Sequence, residues 1–140
     1  MTDLVIDASV AIKWVIDEHG TREALALRSH RLFAPDLWVA ECANVLWKKM
    51  RRNELSADEA RLAARLLQRA DVELAPMRSL LEPATALAIA LDHPAYDCIY
   101  LALAESLSCD LVTADQRLSQ KTLPVSCRSK ILALTTCALP

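Results

Sequence analysis

Glycine is almost missing from this chain: Gly20 stands alone among 140 residues, and the other breakers are six prolines. So few flexible joints argue against a linker, and no low-complexity tract or internal repeat interrupts the sequence. An excess of basic charge is absent too. The 16 Lys and Arg against 18 Asp and Glu give a formal net charge of −2, which excludes a broad cationic surface. A nucleic acid, if bound, has to be met by local patches and metal ions. No apolar stretch reaches the length of a membrane span. The N-terminus lacks a basic segment followed by a long apolar run and a small-residue cleavage site, so a cytoplasmic location and no membrane partner are expected. The five cysteines, Cys42, Cys98, Cys109, Cys127 and Cys137, are odd in number and never spaced C-x-x-C. They are expected to be reduced core thiols, neither disulfides nor zinc ligands.

What the chain does have is an apolar share of 54%, much of it Ala, Leu and Val at helical spacing, in a length that suits one domain over residues 1–140. Helices are expected over 8–16, 23–29, 36–52, 57–70, 80–91 and 96–105, with a short one around Arg117 and Leu118. Ser56-Ala57-Asp58-Glu59 has the S-x-x-E form of a capping box, so a fresh helix starts there. Asp92-His93-Pro94 forces a turn. Strands are expected at 31–34, closed by Pro35, at 72–75, and at 131–134. The opening stretch is the most telling: Leu4, Val5 and Ile6 form a buried-type strand that stops on a lone carboxylate, Asp7. Asp110-Leu111-Val112-Thr113-Ala114-Asp115 repeats that design. The alternation predicts an α/β fold with a central parallel sheet flanked by helices, which collects functional groups beyond the carboxyl ends of its strands.

Alone, Asp7 reads more simply as a helix N-cap. The other acids change that. A parallel sheet places Asp7 and Asp115 on one edge, while Glu41 on the helix after Pro35 and Asp97 in the first turn of the 96–105 helix can project into the same crevice. Four carboxylates crowded together repel one another, which makes little sense as a structural cluster. A hard divalent cation resolves the repulsion. Mg²⁺ or Mn²⁺ takes oxygen ligands from a few carboxylates and leaves positions for phosphate oxygens, and two such ions can drive in-line displacement at phosphorus. Asp7, Glu41, Asp97 and Asp115 are therefore the expected metal ligands and catalytic acids. Ser9 and Thr113 offer hydroxyls to orient them. Thr113 and Gln116 also match a T-x-x-Q capping box, and both roles are compatible.

At these residues the chain resembles the PIN-domain proteins, and more narrowly the VapC toxins of type II toxin-antitoxin pairs. The matching pieces are Val5 to Val10, Glu41 to Trp47, Tyr96 to Ala104 and Leu111 to Leu118, in family order across nearly the whole chain. The resemblance implies a Mg²⁺- or Mn²⁺-dependent endoribonuclease acting on structured RNA. It also implies a homodimer, inhibited by an antitoxin protein that places an Arg in the acidic pocket. It maps the family's acids onto Asp7, Glu41, Asp97 and Asp115, and its active-site hydroxyl onto Thr113. The match departs at Gln116 and Arg117, where many relatives carry a further acid, so whether one ion or two is held stays open.

Two rival readings come from other classes. A phosphoaspartyl transferase usually has a second acid two residues after the strand-end aspartate, and here Ser9 stands there. A PIN-like domain that only binds RNA or protein would have little need of all four acids. Lys48, Lys49, Arg51 and Arg52 can track an RNA backbone or simply suit a helix C-terminus. Asn44 can reach the pocket from one turn beyond Glu41. Trp14, Trp38, Trp47, Tyr96 and Tyr100 lie among apolar neighbours and are expected in the core or at a dimer face. His19, His30 and His93 lack metal-ligand spacing and are assigned no catalysis.

Overall fold

The structure, a computed structural model, describes residues 2–136. Strand β1 (Asp3–Ile6), central in its sheet, buries Leu4, Val5 and Ile6 completely, because helices cover the sheet's faces to which these side chains point. Strands β2 (Arg31–Pro35), β3 (Glu73–Ala75), β4 (Asp110–Thr113) and β5 (Ile131–Ala133) complete it, all paired in parallel in the order β3-β2-β1-β4-β5. The chain first builds outward from β1 through β2 to β3, then returns to add β4 and β5 on the other side of β1. This reversal puts the switch point between β1 and β4, where a crevice opens beyond the strand ends. In the register Ile6 lies opposite Val112, so the next residues in line are Asp7 and Thr113.

Helices flank this sheet, as expected: α1 (Ala8–Val15), α2 (Thr21–Ala26), α3 (Leu37–Arg51), α4 (Ala57–Gln68), α5 (Leu81–Leu91), α6 (Ala95–Leu107) and α7 (Gln116–Ser119). The predicted 23–29 helix divides into α2 and a 3-10 turn at Leu27–Ser29, and a 3-10 turn at Arg78–Leu80 leads into α5. Gly20 explains where α2 begins. Its φ of 89° lies in the left-handed region, which a residue with a Cβ rarely adopts. The capping box at α4 is complete, with Glu59 N–H donating to Ser56 Oγ at 3.0 Å and Ser56 N–H donating to Glu59 Oε1 at 2.8 Å. Helix α6 packs across β1, β2 and β4 and against α5. It buries Cys98 and every residue from Tyr100 to Ala104, which accounts for its nearly unbroken apolar sequence.

Cys42 and Cys98 are buried, Cys109 and Cys127 half-buried, and all four are free thiols. Burial pushes the Cys42 thiol up to about 12 and the Cys109 thiol up to about 11, so neither is a nucleophile near neutral pH. Cys137 lies outside the described residues. Among those residues, no helix is long and apolar enough to cross a membrane.

Candidate active site

Asp7 occupies the N-cap position of α1, with extended backbone, yet its side chain makes no capping bond. The carboxylate turns instead toward β4. Ser9 Oγ donates to Oδ1 and Thr113 Oγ1 donates to Oδ2, each at 2.5 Å. Ser9 Oγ also accepts from Ala114 N–H at 2.9 Å, and Thr113 Oγ1 accepts from Asp115 N–H at 3.0 Å. Two hydroxyls thus join the ends of β1 and β4 and hold the carboxylate of Asp7, a residue only 6% exposed. Thr113 does not cap α7, which corrects the expected T-x-x-Q box. Thr113 belongs to β4, and Asp115 takes the N-cap place, accepting Arg117 N–H at 2.9 Å.

Helix α3 buries the row Trp38, Cys42, Leu46, with Leu37, Glu41 and Val45 half-buried beside it. Glu41 therefore reaches the cleft from the margin of the core. Asp97 enters from the first turn of α6. Together with Asp7 and Asp115 they line one open cleft of about 540 Å³, whose wall also includes Ser9, Asn44, Lys48 and Tyr96. All four predicted acids are thus brought together.

Their electrostatics follow from this crowding. Burial pushes Asp7 up to about 6 from an ordinary 3.8; the Ser9 and Thr113 hydroxyls pull it back, and the charges of Asp97 and Glu41 push it up further. Glu41 is also raised, first by burial and then by Asp97, against a downward pull from Tyr100. The fully buried Tyr100 sets its hydroxyl against Glu41 without a hydrogen bond of regular geometry.

Two neighbours of the acids escape a sequence reading. Tyr100 follows Asp97 by three residues and so shares its face of α6, a signal available in advance. His93, which has no metal-ligand spacing in the sequence, places Nε2 at 2.6 Å from Asp97 Oδ2. The four basic residues at the end of α3 divide. Lys48 lines the cleft, whereas Lys49 is held by Glu18 at 3.0 Å and by Glu54 at 3.6 Å, and Arg51 stacks over Trp47 at 5.0 Å. Arg52 is exposed. Trp38 and Tyr100 are core residues and Trp14 is half-buried, whereas Trp47 and Tyr96 are 48% and 65% exposed, so of the two expected places they do not take the core.

Among the described residues no three His, Cys, Asp or Glu side chains close into a cage for a metal. The cleft instead sets its four carboxylates among Ser9, Asn44 and Lys48 and apolar residues such as Leu37 and Val45, and stays open to solvent. A closed set of nitrogen and sulfur ligands would suit zinc; a few carboxylates with room for water and phosphate suit Mg²⁺ or Mn²⁺.

Compared with known protein families, residues 4–122 match the PIN domain. Ribonuclease VapC9 of Mycobacterium tuberculosis is 37% identical over 116 residues, which cover 83% of this chain and 88% of that protein. Among solved structures, the chain superposes on PAE2754 from Pyrobaculum aerophilum with a TM-score of 0.71 at 23% identity, covering 96% of this chain and 85% of that one. It superposes on the DNA-bound VapBC from Salmonella typhimurium with a TM-score of 0.67 at 16% identity, covering 96% and 99%.

Proposed function

This chain belongs to the PIN-domain family, and from that premise we propose that it is a metal-dependent endoribonuclease, the toxin of a type II toxin-antitoxin pair, working as one domain in the cytoplasm. The observation that carries the reading is Asp7. A carboxylate this buried, fixed through both oxygens and facing two further acids, is unfavourable unless a cation shares the cleft. Similarity to a named ribonuclease supports RNA as the substrate.

Asp7, Glu41, Asp97 and Asp115 would hold Mg²⁺ or Mn²⁺. When bound, the ion supplies charge that polarises the scissile phosphate and makes water a nucleophile near neutral pH. Ser9 and Thr113 keep Asp7 oriented, so that its position is set before substrate arrives. Lys48 and Asn44, on the cleft wall, meet the substrate's phosphates and limit the repulsion between RNA and an acidic pocket. The test is direct: purified protein is expected to cut total RNA with Mg²⁺ or Mn²⁺, to stop in EDTA, and to resume when metal is restored. RNA that is retained but never cut would instead make this a binding domain.

The likeness to a VapBC complex supports an antitoxin partner, and the acidic cleft suits an Arg from it, paired with carboxylates that otherwise hold metal. The toxin would act as a homodimer. Mn²⁺ and an Arg-bearing antitoxin peptide are expected to compete, so the peptide's apparent Kd should rise with Mn²⁺ concentration in a titration. A Kd indifferent to Mn²⁺ would place inhibition outside the cleft.

A further inference from the structure

We infer that His93 is a positioning residue for the active-site carboxylate of Asp97: its Nε2–H occupies one carboxylate oxygen and leaves the other for the cleft. The inference rests on the reading of that cleft as a metal site.

The geometry begins with the turn between α5 and α6. Asp92 ends α5 in the left-handed region at φ 48°, and His93 N–H donates back to Ala88 O at 3.2 Å. Pro94, its φ of −53° set by its ring, then opens α6. Two conformationally restricted residues therefore bracket His93 and bring its imidazole over the first turn of α6, where Asp97 lies four residues on. The imidazole is nearly enclosed, with 4% of the side chain exposed, and its bond to Asp97 Oδ2 spans 2.6 Å. Because the acceptor is a carboxylate oxygen, the proton of this bond sits on Nε2.

Two of the other acids have donors of their own. Asp7 has the hydroxyls of Ser9 and Thr113, Asp115 has Arg117 N–H, and Glu41 faces Tyr100. Among the described residues, His93 is the hydrogen-bond donor that Asp97 has. Without it the Asp97 side chain would be free to rotate at the mouth of the cleft, and each ligation would have to order it anew.

A structural role is the alternative, with His93 merely filling space beneath the turn. Mn²⁺ affinity, read as free Mn²⁺ by electron paramagnetic resonance at one fixed pH and without RNA, separates the two. His93→Leu keeps the bulk and removes the donor, and is expected to weaken Mn²⁺ binding by about 10- to 100-fold. His93→Gln carries an amide N–H to nearly the place of Nε2 and is expected to recover most of that loss. In an Asp97→Asn background, His93→Leu should cost little further affinity, since the two residues act through one bond. If His93→Leu does not fold, His93→Asn takes its place, because its amide is too short to reach. Wild-type affinity in His93→Leu would overturn the inference, as would equal losses in the Leu and Gln variants or an undiminished loss in the Asp97→Asn background. A wild-type protein that binds no Mn²⁺ would overturn the metal site itself, and this inference with it.

Discussion

Asp7→Asn and Asp97→Asn are each expected to lower RNA cleavage by at least about a hundredfold, since even residues that only support a metal's ligands cost 10- to 100-fold when lost. A neutral amide is a poor ligand for a hard cation and removes charge from the cleft. The fold should survive. Asn retains an oxygen that can accept from Ser9 or Thr113, and the packing beneath it is formed by Leu4, Val5 and Ile6. Circular dichroism matching wild type, together with lost cleavage in a gel assay, is the expected pair of results. Full activity in either variant would falsify that residue's place in the site.

Stability should move the opposite way. The folded Asp7 carboxyl titrates at about 6, above its ordinary 3.8, so the folded state holds this proton more tightly than the unfolded chain does. Below about pH 4 both states are protonated and the site costs nothing. As pH rises through the interval the unfolded chain ionises first, and above about pH 6 the full cost applies, about 3 kcal/mol at 1.36 kcal/mol per pH unit. Asp7→Asn removes that cost. In EDTA at pH 7.5 the variant is expected to melt above wild type, with the margin shrinking to nothing near pH 4. Saturating Mn²⁺ inverts the ranking: wild type gains about 4.1 kcal/mol when the ion stands at a thousand times its Kd, and the variant gains far less. Thermal melts in both buffers would show the crossing. A variant that melts below wild type in EDTA at pH 7.5 would mean that the hydroxyl bonds outweigh burial, and that Asp7 is content without a cation.

The order of the elements was legible because its signals are local. A run such as Leu4-Val5-Ile6 before Asp7, the S-x-x-E box at Ser56, and Asp92-His93-Pro94 each act within a few residues of chain, where propensity and capping decide. The four acids stood out for the same reason, each at a strand end or on a helix turn, and a parallel sheet has only one edge where such groups can gather. What periodicity leaves open is the neighbour. It places Lys49 on a helix face but says nothing of Glu18, 31 residues earlier, which the packing of α1 on α3 brings within 3.0 Å as the partner of that lysine. Thr113 had two eligible partners, the start of α7 and Asp7, and the parallel register of β1 with β4 chose the latter, 106 positions away. His93 is four residues from Asp97, close enough to suspect. Only the enclosure of the α5–α6 turn makes the imidazole a fixed donor, because burial leaves it no water to bond instead.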